Sequence, residues 1–223
     1  MSELDPEHLD ADLADINFNG TATTTVTGLS ASTTYSFAIW AYDLFGNQAS
    51  SAVAVITTNR IPAAAAGLAQ YQSDGATVIA NGGWTNDSNI YLEARAGDDD
   101  PSEVVGLYFN LVEVGDSFST ATTAPAAACA STTAYSACVS KIWRVFSPLG
   151  NYATSSFTGR VNPQGLTAAY AEYKWQVMAC DDAGDCSAWQ DAGADPNIRL
   201  DTQAPGAPGP LAEIQSFATS SIV

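Results

Sequence analysis

Thr34-Tyr35-Ser36-Phe37-Ala38-Ile39-Trp40-Ala41-Tyr42 alternates along its length. Tyr35, Phe37, Ile39 and Ala41 fall on one side, and Ser36, Ala38, Trp40 and Tyr42 on the other. A period of two is the signature of a half-buried β-strand. The turn Asp43-Leu44-Phe45-Gly46-Asn47 closes it, and Ser51 to Thr58 supplies a second strand. Thr23 to Thr27, ended by Gly28, supplies one before it.

The same phrase recurs. Tyr173, Trp175, Val177, Ala179, Asp181, Gly184 and Asp185 match Tyr35, Phe37, Ile39, Ala41, Asp43, Gly46 and Asn47 at a constant offset of 138 residues. Each copy is a strand with an inward aromatic, aromatic, β-branched and small residue, followed by a turn. Aspartate suits the turn because its side chain accepts bonds from backbone N–H groups two residues on. Glycine suits it because its φ can be positive. Turn-forming clusters recur throughout at short intervals, and a sustained 3.6-residue period is lacking. Glu7 to Asp15 and the alanine-rich Ala63 to Tyr71 are the helix candidates. The expected class is all-β, built of sandwiches.

Composition narrows the function. Among 223 residues, 24 are acidic, 7 basic and 1 is histidine, for a net charge of −17. Nucleic-acid binding needs clustered Lys and Arg, so it is excluded as a partner class. His8 has no second histidine with which to build a metal site. Apolar runs fall short of the roughly 20 residues of a membrane span. The serines lack a G-x-S-x-G elbow and His8 is distant from them, so a nucleophile–base pair cannot be assembled and the chain reads as non-catalytic.

Cys129 and Cys138 are separated by eight residues, and Cys180 and Cys186 by five. The local pairs point to disulfides, although four cysteines permit three connectivities. Zinc would want tighter spacing and usually histidine. Disulfides imply an oxidising compartment, hence an extracellular or cell-surface location. The acidic start, Met1 to Asp5, has no signal-peptide character.

Leu29-x-x-x-Thr33-x-Tyr35, followed by the alternating strand and its turn, resembles the corner and hairpin of a fibronectin type III domain, with Ala31 where the family usually has proline. The resemblance implies that Tyr35 is a structural corner residue whose hydroxyl bonds back to nearby backbone. By the repeat, Tyr173 takes the same part. Residues 82–202 resemble the Ig-like modules that alternate with such repeats in long bacterial surface proteins. Asp201 to Pro210 resembles the linker opening another repeat.

The expected organisation is tandem immunoglobulin-like (fibronectin type III-like) sandwiches, the first incomplete. Residues 1–60 form the later part of a fibronectin type III-like domain. Residues 61–203 form an Ig-like sandwich with an insertion closed by Cys129 and Cys138. Residues 204–223 form a linker and the first strand of a following domain. The chain then reads as a piece of a longer array, with any leader upstream. Completion of the half-domain by a strand from another chain is the alternative.

Two features invite a ligand. Asp98, Asp99 and Asp100 lie in an acidic run between strands and are candidate calcium ligands, since Ca2+ takes six to eight oxygens. The run lacks the alternation of an EF-hand loop, so a solvated turn competes with that reading. Asp181, Gly184 and Asp185, between two cysteines, read as a turn. Among the tryptophans, Trp175 is a core position, while Trp40 and Trp189 fall on outward or edge positions where sugar rings stack. Cross-strand aromatic packing is the competing account. Asn19-Gly-Thr21 and Asn86-Asp-Ser88 match the glycosylation triplet.

The function expected is a structural and adhesive module of a cell-surface or secreted multidomain protein. Its partners are neighbouring sandwich domains of the same chain and a glycan or surface protein. The alternative is an accessory module of a secreted polysaccharide-active enzyme.

Overall fold

A computed structural model describes residues 26–31, 33–42, 45–98, 103–152, 155–166 and 170–206. Within them the chain is all-β. Strands β1 (Thr34–Phe37), β2 (Trp40–Tyr42), β3 (Gln48–Ser50) and β4 (Ala54–Thr57) come first. There follow β5 (Ala66–Tyr71), β6 (Gly83–Thr85), β7 (Tyr91–Ala96), β8 (Gly106–Glu113) and β9 (Cys129–Ala130). The last five are β10 (Ile142–Phe146), β11 (Phe157–Val161), β12 (Tyr170–Cys180), β13 (Gln190–Asp191) and β14 (Ile198–Asp201).

The expected continuous strand over 34–42 is interrupted. β1 pairs with β4 and β2 with β3, both antiparallel. Phe37 faces Ala54 while Trp40 faces Ser50, so the register slips by one residue between them. Ser51 fills the break: its N–H donates to Ile39 O at 2.7 Å, and Ile39 N–H donates to Ser51 Oγ at 3.0 Å. This is a bulge, with a hydroxyl substituting for a ladder carbonyl. The face expected to turn inward stays open at Ile39, which is 64% exposed, and Val55 and Ile56 on β4 are exposed too. No described residue before Ala65 belongs to an apolar cluster.

The larger body packs two sheets face to face. One runs β6-β14-β12-β8-β10-β9, with β13 also on β12; the other runs β11-β7-β5. β12 is the long central strand. Ala171, Tyr173, Trp175, Val177 and Ala179 point into the core in the expected alternation, against Leu92, Ala94 and Val161 from the opposite sheet. β8 is buried on both faces. Leu107, Phe109 and Leu111 enter the main core, while Tyr108 joins Ile142, Met178 and Cys180 in a second cluster beneath Trp189. A strand covered on both sides reads as a near-continuous apolar run, as Gly106 to Val112 does apart from the buried Asn110.

Residues 63–71 are not helical: Ala66–Tyr71 is a strand on β7. Gly67 sits at φ +61°, outside the helical region, beside a register shift between Ala66 and Ala69. Tertiary pairing overrides the helical preference of alanine here. The Glu7 to Asp15 candidate and Thr23 to Thr25 lie outside the described residues.

Both disulfides are formed, Cys129–Cys138 and Cys180–Cys186. The first ties short β9 to the segment entering β10, with Cys138 fully buried. The second closes the hairpin after β12.

Candidate functional site

The hairpin after β12 is built from its aspartate. Asp181 Oδ1 accepts from Asp185 N–H at 2.8 Å, Asp181 N–H donates to Asp185 O at 3.0 Å, and Gly184 takes φ +94°. Only a residue without a side chain adopts that φ at no steric cost. Gly46, at φ +83°, occupies the corresponding turn of the first hairpin, beside Asn47. Its Asp43 lies outside the described residues.

The same hairpin meets a second acidic loop. Asp98, Glu103 and Asp181 bring carboxylate oxygens within 4.8 Å of one another. Asp98 is 2% exposed and Asp181 6%. Asn59, on the segment joining β4 to β5, donates from Nδ2 to Asp181 Oδ2 at 2.7 Å and to Asp185 Oδ2 at 3.1 Å. Of the expected calcium set Asp98, Asp99 and Asp100, only Asp98 is among the described residues; Asp99 and Asp100 lie outside them. Among the described residues Asp98 converges with Glu103 and Asp181. Two unit charges at this separation repel by about 3 kcal/mol at an effective dielectric of 20. An oxygen-only, anionic set of this kind suits a hard divalent cation.

Tyr35 Oη accepts a hydrogen bond from Ser30 N–H at 2.9 Å. Tyr173, its counterpart in the repeat, is fully buried and packs edge-on to Tyr135 at 5.5 Å. Burial among these groups pushes the Tyr135 hydroxyl pKa well up, and neighbouring Tyr173, Glu113 and Asp116 add to the rise.

The tryptophans sort differently from expectation. Trp175 is buried, as its position in the repeat implies, and Trp143 with it. Trp189 is not free on the surface: it is half-buried against the second cluster and donates from Nε1 to Ala121 O at 2.8 Å. The Trp40 side chain lies outside the described residues. Among the described tryptophan side chains the exposed one is Trp84, which stands 5.3 Å from the ring of exposed Tyr170. Sequence reasoning passed over it because β6 is three residues long, too short for a period. Gly82-Gly83-Trp84, a large ring behind two glycines, was the available signal. Asn86 is exposed, whereas Asn19 lies outside the described residues.

No protein-family model and no curated protein matches the sequence. Among the described residues, no helix is long and apolar enough to cross a membrane.

Proposed function

We propose that the chain is a non-catalytic structural and adhesive segment of a cell-surface or secreted multidomain protein. In this reading, residues 61–203 are an Ig-like sandwich and residues 1–60 the later part of a fibronectin type III-like one. The observation that carries it is the pair of short-range disulfides in an all-β chain. Such bonds form and persist in oxidising compartments, and modules working there depend on them for stability. The Ser30–Tyr35 hydrogen bond supports the fibronectin-like reading of the first part. Asn59, bonded to the hairpin of the larger sandwich from the connecting segment, supports a fixed junction between successive units.

A second reading, an accessory module of a secreted polysaccharide-active enzyme, is favoured by the exposed ring pair of Trp84 and Tyr170. The coding sequence on either side separates the two: a catalytic domain favours the enzyme, a surface anchor the adhesin. Both readings are tested by antibody labelling of intact source cells and by thiol titration of the native protein. Surface or supernatant protein with all four cysteines oxidised is expected. A purely cytosolic protein with four free thiols overturns both.

A further inference from the structure

The outer face of the larger sheet is only half covered. Over β8 and the far half of β12 lies the segment that follows β8. Ser119 N–H donates to Asn110 Oδ1 at 2.7 Å, and Gln176 Nε2 donates to Ser119 O at 2.9 Å. The other half, toward β6, is open. Strand pairing sets Trp84, Arg199 and Glu172 in one row across three strands. Tyr170 stands two residues from Glu172 on the same side of β12. Trp84 is 52% exposed and Tyr170 61%, and their rings are inclined at 46°. Arg199 lies 5.7 Å from the Trp84 ring, donates from Nε to Glu172 Oε1 at 3.0 Å and from Nη1 to Gly82 O at 2.9 Å.

We propose that Trp84, Tyr170, Arg199 and Glu172 form a binding platform for a neutral polysaccharide. The proposal rests on the reading of the chain as an adhesive or accessory module. A pyranose ring presents polarised C–H groups on its faces and hydroxyls around its rim. The electron-rich faces of Trp84 and Tyr170 match the first. The guanidinium donors and the carboxylate acceptor match the second. Two neighbouring tilted rings serve successive sugars of a chain, whose planes also turn from one unit to the next. The parts are held in advance: Trp84 sits in a paired strand, and two hydrogen bonds fix the guanidinium. Little side-chain freedom is then lost on binding. Charge selects the class of glycan. Arg199 is matched by Glu172 within the row, and the chain carries −17, so a polyanion is repelled. A proline-rich peptide also packs on aromatic rings, but it favours a groove over an open strand face.

The test uses the full chain in affinity electrophoresis and calorimetry against hydroxyethylcellulose, xylan, β-1,3-glucan, galactomannan and dextran. Alginate serves as the polyanion and an oligoproline as the peptide. Binding to at least one neutral polysaccharide and none to alginate is expected. Trp84→Ala and Tyr170→Ala should each weaken it about tenfold, the loss typical of an aromatic anchor. Val139→Ala, at a distant exposed position, should leave it unchanged. Near-UV circular dichroism verifies the fold of each variant, and Tyr170→Ser replaces Trp84→Ala if the latter misfolds. Absence of binding to every neutral polysaccharide, undiminished binding in a folded double variant, or binding of the oligoproline alone overturns the platform. A surface-located, disulfide-bonded chain that binds none of them sinks the platform and leaves the proposed function standing.

Discussion

Trp175 Nε1 donates to Gln70 Oε1 at 2.7 Å, and both side chains are buried between the two sheets of the larger sandwich. Gln70 passes the connection on: its Nε2 donates to Asn197 O at 2.6 Å, and Asn197 Oδ1 accepts from Trp175 N–H at 2.8 Å. Strands β5 and β12 and the residue that leads into β14 are thereby joined through two side-chain amides. Gln70→Leu leaves the indole N–H and a carbonyl without that partner in the core. A loss of roughly 2–4 kcal/mol of unfolding free energy is expected, read from urea midpoints at constant slope.

Gly159 on β11 sits close against residues of the opposite sheet. A Cβ there would lie 2.7 Å from Val145 Cγ1 and 2.8 Å from Leu107 Cδ1. Gly159→Ala should destabilise by about 1–3 kcal/mol despite the better strand propensity of alanine, because both neighbours sit in a packed core. Gly159→Ala with Leu107→Val should recover part of the loss in the same unfolding assay.

Each disulfide closes a loop of under ten residues, for which the chain-entropy model gives roughly 2–3 kcal/mol. Cys129→Ser with Cys138→Ser, and Cys180→Ser with Cys186→Ser, should each lower the melting temperature by roughly 5–10 °C. Reducing agent should reproduce the combined effect in the wild-type chain and do nothing to a variant lacking all four. Calorimetry with and without reductant measures both.

The convergence of the Asp98, Glu103 and Asp181 carboxylates leads to a prediction about divalent cations. Millimolar Ca2+ should raise the melting temperature relative to chelator, by mass action on the folded state. Asp98→Asn should abolish the increment by removing a buried charge from the set. Equal melting temperatures with Ca2+ and with chelator would show that repulsion is relieved without a cation.

Asp74 organises the turn after β5. Its Oδ1 accepts from Ala76 N–H and Thr77 N–H, both at 2.8 Å. The Thr77 hydroxyl first, then the two backbone donors, holds the carboxyl pKa below its ordinary 3.8. A depressed folded-state pKa contributes stability above the unfolded pKa, and that contribution is lost as pH falls through the folded value. The Ala76 and Thr77 amide resonances should therefore titrate with a midpoint below 3.8, and Asp74→Asn should flatten them.

Legibility in the sequence followed the range of the determinants. Tyr173, Trp175, Val177 and Ala179 were readable because every second residue of β12 enters the main core, although Gln176 and Met178 between them are buried on the other face. The cysteine pairs were readable because their loops are short. The turn of Asp181 and Gly184 was readable for the same local reason. Ala66 to Tyr71 was misread because alanine carries a helical preference that pairing with β7 overrides. The bulge at Ser51 was hidden because it depends on which hydroxyl faces a broken ladder. The meeting of Asp98 and Glu103 with Asp181 was out of reach because two loops far apart in the chain supply it. So too was the Trp84–Tyr170 pair, which exists only once β14 lies between β6 and β12.

The scarcity of basic residues has a consequence for how the chain comes apart. Arg95, Arg144, Arg160, Lys174 and Arg199 all lie within paired strands of the larger sandwich. Lys141, just before β10, is pinned: its Nζ donates to Tyr135 O at 2.6 Å, and its carbonyl accepts from Leu111 N–H and Asn110 Nδ2. Arg60 alone is exposed on a connecting segment, between β4 and β5. A protease that cuts after lysine or arginine therefore meets one accessible bond in the native fold, Arg60–Ile61, where backbone outside the sheets opens most readily. Severing there parts the hairpins from the disulfide-bonded sandwich and leaves both the ring pair and the acidic loops on the surviving piece.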